Sequence, residues 1–175
     1  MNTDFSTLCE KAEAASGTVL ENLSQIESAL GEVQGKIAGL PFFVRGFVSS
    51  EVKRGTGQDI PAWQQVSGAL ISTVRDANAA VARAKGAGAV SNQDRGIMAQ
   101  ASERVEAERP RLEALAGYMQ QAPSKIQSVP GGMIPAAQRD EILGAIDRQT
   151  QALRGAVAVM PDLAQSLAAL SGRAA

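Results

Sequence analysis

The sequence predicts an all-α protein, an elongated bundle of about four main helices with a long heptad-patterned helix at its N-terminal end. Three observations carry that prediction. Apolar or Ala side chains recur every three or four residues from Phe5 to Leu40, and three later stripes repeat the spacing between Pro, Gly and capping signals. No stretch alternates apolar and polar residues between turn signals, as a half-buried strand would. Aromatics make up only 3% of a chain that is 45% hydrophobic. Thin side chains of that kind suit helices packed closely side by side.

The first helix is expected over 4–40. Its seam runs Phe5, Leu8, Ala12, Ala15, Val19, Leu23, Ile26, Leu30, Val33, Ile37 and Leu40. The steps of three and four make a heptad pattern with one additional four-residue step, a stutter that relaxes the supercoil. Asp4 or Thr3 can cap its start through a short side-chain oxygen. Gly17, Gly31 and Gly35 each cost about 1 kcal/mol inside a helix. They imply either close approach by a neighbour or a shorter helix. Pro41 should end or kink the segment. An aromatic corner and flexible loop are expected over 41–59, with Gly55 and Gly57 as turn signals.

A second helix over 60–85 opens on Asp59-Ile60-Pro61, Pro being tolerated in a first turn, and carries Trp63, Val66, Leu70, Val74, Ala77, Val81 and Ala84 to a stop at Gly86-Ala87-Gly88. Ser91-Asn92-Gln93-Asp94 resembles a capping box and starts a third helix over 92–119. Pro110 should kink or split it near Glu108. A linker is expected over 120–134, with two prolines and a Gly pair. The last helix, over 135–171, carries Ile142, Ile146, Leu153, Val157, Met160, Leu163, Leu167 and Leu170, with Pro161 bending or restarting it. All 175 residues fit one domain.

Charge and residue inventory narrow the function. Net charge is −1, so no global field draws the chain to nucleic acid or to anionic lipid. Residues 1–32 carry a local balance of −5 and residues 51–100 one of +2, so the two can attract each other within the fold or across an assembly. The N-terminus has no basic, apolar leader, and no charge-free window reaches the length of a membrane span. Synthesis in the cytoplasm without a signal peptide is the expectation, with incorporation into a virion or export by a dedicated apparatus as further routes.

The chain has no histidine and one cysteine, Cys9. That removes Ser-His and Cys-His nucleophile pairs, His-containing metal sites, thiolate clusters and any intramolecular disulfide. Ser50-Glu51-Val52-Lys53 matches a Ser-x-x-Lys string without its companion motifs. Lys53-Arg54-Gly55-Thr56-Gly57 lacks the strand-loop-helix setting of a phosphate loop. Glu103, Glu106, Glu108 and Glu113 among Arg104, Arg109 and Arg111 read as solvated helical ion pairs. Cys9 reads as a small packing residue. No catalytic residue, metal site, cofactor or small-molecule substrate is expected.

Four of the six aromatic residues, Phe42, Phe43, Phe47 and Trp63, fall within one short stretch. They form either a plug over one end of the bundle or an exposed patch for a partner or a membrane interface. The leading expectation is a non-enzymatic structural or assembly protein making coiled-coil-like contacts to itself or another helical protein, as in a phage virion or bacterial secretion assembly. Its candidate contact residues are Leu23, Ile26, Leu30, Val33, Ile37, Leu40, Phe42, Phe43, Phe47 and Trp63. The alternative is an amphipathic, phasin-like protein that lies on a membrane or storage-granule surface through the aromatic corner.

Overall fold

The seam of the first helix finds its cover inside the same chain. A computed structural model describes residues 4–130 and 134–173, and within them five helices and no strand: α1 (Phe5–Ala38), α2 (Phe42–Thr56), α3 (Ile60–Ala87), α4 (Asn92–Gln127) and α5 (Ala136–Ser171). The four long helices form a ring in which α1 and α4 each touch both α3 and α5. Cross-helix bonds fix their directions. Lys85 near the end of α3 meets Glu13 near the start of α1 at 2.7 Å. Arg148 of α5 meets Glu32 of α1 at 2.6 Å, and Lys36 pairs with Glu141 one turn further on. Arg83 at the end of α3 reaches Asp94 at the start of α4, its Nε 2.9 Å from Oδ1. Neighbours are therefore antiparallel all round, in an up-down-up-down bundle.

Why these segments are helices can be read at their ends. The Asp59 carboxylate accepts from the Ala62 amide at 2.9 Å, with Pro61 in the first turn of α3. The Ser91 hydroxyl accepts from the Asp94 amide at 3.1 Å and donates to the Asp94 carboxylate at 2.7 Å. Gly88 closes α3 at φ 71°, a left-handed conformation that glycine adopts without a Cβ penalty. Asp4 holds the N-cap position of α1 without a side-chain bond, and Thr3, the other proposed cap, lies outside the described residues.

α1 is unbroken for 34 residues despite three internal glycines. A Cβ built at Gly17, Gly31 or Gly35 would meet nothing within 4 Å, so these glycines face open space rather than a close neighbour. Replacing all three by Ala should raise unfolding free energy by about 2–3 kcal/mol in a urea melt. An unchanged midpoint would mean the helix is not continuous there.

Neither Pro110 nor Pro161 splits its helix. α4 runs through Pro110 and Pro123 to Gln127, and α5 runs through Pro161. Pro110 and Pro161 are exposed. On the buried face of α4, Val105, Leu112, Leu115, Met119 and Ala122 hold the helix in place, which offsets the roughly 3 kcal/mol that an internal proline costs. The expected linker over 120–134 is therefore helix for more than half its length. The expected loop over 41–59 is mostly α2, for a reason given below.

The core is one continuous cluster of small and aliphatic side chains from all four long helices. It contains polar members. Ser102 donates to the Ala164 carbonyl at 2.8 Å, bonding α4 to α5. Gln149 is buried with both amide atoms unpartnered among the described residues, a cost of about 1–3 kcal/mol. Cys9 is fully buried, and burial, followed by Glu13, pushes its thiol up.

The α3–α4 corner carries a pH dependence. The Arg83 guanidinium, and after it the Ser91 hydroxyl, hold the Asp94 carboxyl below its ordinary 3.8. Folding thus favours the charged form. This contribution is complete above the unfolded value and is lost as pH falls through the lowered native one. Asp94→Asn should destabilise the chain at neutral pH, and the gap to the parent should narrow once pH falls below 3.8 and on through the lowered native value. Urea melts at both pH values check this, and a gap that persists in acid assigns the loss to geometry alone.

Candidate docking surface

α2 stands apart from this ring. It is 15 residues long, roughly 22 Å, and makes only sparse contacts with α1, α3 and α4. Val44, Val48 and Val52 recur every four residues and form its inward face. Val44 packs with Leu40, Val129 and Ile134 in a small cluster, and Val48 joins that cluster to the main core, against which Val52 also packs. This valine stripe makes 41–59 helical. Gly55 and Gly57, read from sequence as turns, are respectively a contact point and the C-cap. Gly57 has φ 77° and its amide donates to the Lys53 carbonyl at 2.8 Å.

Two contacts pin the far end of α2. A Cβ at Gly55 would lie 1.9 Å from Tyr118 Cε2, so only glycine lets the helix rest on that ring. Lys125 Nζ sits 4.9 Å from the centre of the same ring and 4.0 Å from Glu51, which also accepts from Arg54 at 2.8 Å. Burial, and then Glu51, push the Tyr118 phenol up. At the turn into α3, Trp63 Nε1 donates to the Thr56 hydroxyl at 3.0 Å, and the Arg111 guanidinium lies 5.9 Å from the indole centre. Elsewhere α2 leaves space: a partly open apolar cleft of about 90 Å³ lies beneath it, walled by Val33, Ile37, Phe47, Met119, Ile126 and Ile142.

The outward face carries the large exposed apolar side chains. Phe42 is 83% exposed, Phe43 62% and Phe47 57%. Phe43 and Phe47, four residues apart, share one side of the helix, and Phe42 sits at its N-terminal tip. Monomers normally bury side chains of this size, and a contiguous exposed group marks an interaction surface.

The other proposed contact residues lie elsewhere. Leu23, Ile26, Leu30, Val33, Ile37 and Leu40 are all buried by the chain itself, so the α1 seam presents no surface to a second helix. The reason is that α5 and α3 run along α1 and cover its stripe. Trp63 is also buried, a structural pin at the α2–α3 turn rather than part of the aromatic patch. Of the ten residues, the structure brings only the three phenylalanines together on the outside. Sequence reasoning passed over Lys53 and Arg54 as companions of that patch; the valine spacing of four would have placed them on one helix with it.

The weaker motifs have plain locations. Ser50 and Lys53 are exposed on α2. The Lys53–Gly57 string is a helix C-terminus, which presents carbonyls in place of the free backbone amides of a phosphate loop. Arg109 pairs with Glu113 at 2.8 Å and Arg111 with Glu108 at 2.9 Å along α4. Among the described residues no group of His, Cys, Asp or Glu is arranged to hold a metal ion, and no helix is long and apolar enough to cross a membrane. Comparison with protein-family models, with curated proteins and with solved structures returns no match to this chain.

Proposed function

We propose that this chain is a non-enzymatic docking and assembly module whose contact point is α2. One observation carries the reading: three phenylalanines are held outward on a short helix that the bundle barely grips. The four long helices bury one another, so they supply a rigid body and α2 supplies the adhesive face. This revises the sequence expectation. Helix–helix contact through the α1 seam gives way to contact through the aromatic patch. A setting within a larger assembly, such as a phage virion or a bacterial secretion apparatus, draws support from the Ala- and Gly-rich composition and the lack of histidine.

Phe42→Ser, Phe43→Ser and Phe47→Ser combined should leave the melting midpoint close to the parent's, since the three side chains are solvated. The same variant should lose the parent's capacity to associate with its binding surface. Sedimentation of the parent alone and with vesicles, beside the variant, reads this out. A parent that stays single and unbound in every condition, indistinguishable from the variant, would end the proposal.

A further inference from the structure

The kind of surface α2 fits can be taken from everything else it exposes, an inference that rests on the docking role just proposed. Its solvent-facing positions are the three phenylalanines, the cations Arg45, Lys53 and Arg54, and the small residues Gly46, Ser49 and Ser50. The lone carboxylate of α2, Glu51, is half-buried and already engaged by Arg54 and Lys125. α2 thus carries a local balance of +2 on a chain whose net charge is −1. We infer that α2 is an interfacial anchor for an anionic lipid surface, lying in the headgroup plane with its phenylalanines in the acyl boundary and its cations on the phosphates.

The same face suits a protein partner less well. Protein interfaces deplete charge, Lys above all, from their buried centre. Here Lys53 and Arg54 follow the Phe43–Phe47 side within two turns and would have to be stripped of water. At a lipid interface those side chains extend along the apolar boundary and keep their charge among phosphates. The small residues between the aromatics let the helix sink without a bulky polar side chain holding it off. The mounting agrees. The short connections 39–41 and 57–59 each begin with glycine, the first ends in Pro41, and α2 rests over a partly open cleft. It can settle flat while the bundle behind it keeps its packing.

The test is flotation of the full chain with phosphatidylcholine vesicles and with vesicles that also contain phosphatidylserine. The parent should float with the serine-containing vesicles, weakly with the neutral ones, and less as salt rises. Arg45→Gln combined with Lys53→Gln should weaken anionic binding by about thirtyfold. The triple Phe→Ser variant should abolish binding, with helicity and melting unchanged in both variants. No flotation of the parent, or equal flotation with both vesicle types, overturns the anionic-lipid inference. If the parent then self-associates in a way the triple Phe→Ser variant loses, the lipid inference alone falls and the docking role stands. If it neither floats nor associates, both fall.

Discussion

Leu23→Ala should destabilise the chain by about 2–5 kcal/mol, and by the same amount at every protein concentration. Leu23 is 0% exposed at the middle of the α1 stripe, covered by helices of its own chain. Truncation removes buried methyl groups and leaves a cavity whose walls are long helices that cannot collapse inward cheaply. If a second chain covered this stripe, the substitution would weaken association and the unfolding midpoint would depend on concentration. Urea melts of parent and variant across a wide concentration range separate the two cases. A small loss, or a concentration-dependent one, would return the α1 seam to the surface.

Gly55→Ala should release α2. The added methyl carbon would lie 1.9 Å from Tyr118 Cε2 and 2.2 Å from Cδ2, inside any real contact distance, and the obstacle is a ring rather than a flexible chain end. Overpacking of this kind typically costs about 1–3 kcal/mol. In a long helix the bundle would absorb that by local shifts. α2 has a partly open cleft beneath it and few contacts elsewhere, so undocking is the easier response. Trypsin should then cut after Arg45, Lys53 or Arg54 several times faster than in the parent, while the far-ultraviolet spectrum changes little. Adding Tyr118→Ala removes the obstacle and should restore resistance relative to Gly55→Ala alone. Parent-like resistance in Gly55→Ala would show that α2 does not rest on the ring.

Much of the bundle is legible in the sequence because period and capping agree along the chain. The stripe from Phe5 to Leu40, the Asp59-Ile60-Pro61 opening and the Ser91–Asp94 box each name an element by local chemistry, and each sits where that chemistry places it. What local rules misjudge are the positions where tertiary packing outweighs propensity. Pro110, Pro123 and Pro161 read as kinks or breaks, yet the buried faces around them keep α4 and α5 continuous. Gly55 and Gly57 hide a helix whose signal, Val44-Val48-Val52, is only three residues long.

The candidate surface was half legible. Phe42, Phe43 and Phe47 stand out in a chain so poor in aromatics, but whether they cap the core or face water depends on where α2 lies. Trp63 belongs to the same sequence cluster and goes inward, because its indole N–H finds Thr56 across the turn. The α1 seam illustrates the converse. A heptad stripe specifies that something must cover it, and only the spatial order of the helices says that the cover is α3 and α5.

Native-state hydrogen exchange, resolved helix by helix on the intact chain, tests the central division most directly. Amides in α1, α3, α4 and α5 should exchange together, through global unfolding alone, while those of α2 open separately at a lower free energy. Protection of α2 equal to that of α1 would contradict the account, because a helix locked into the bundle is not free to serve as its contact point.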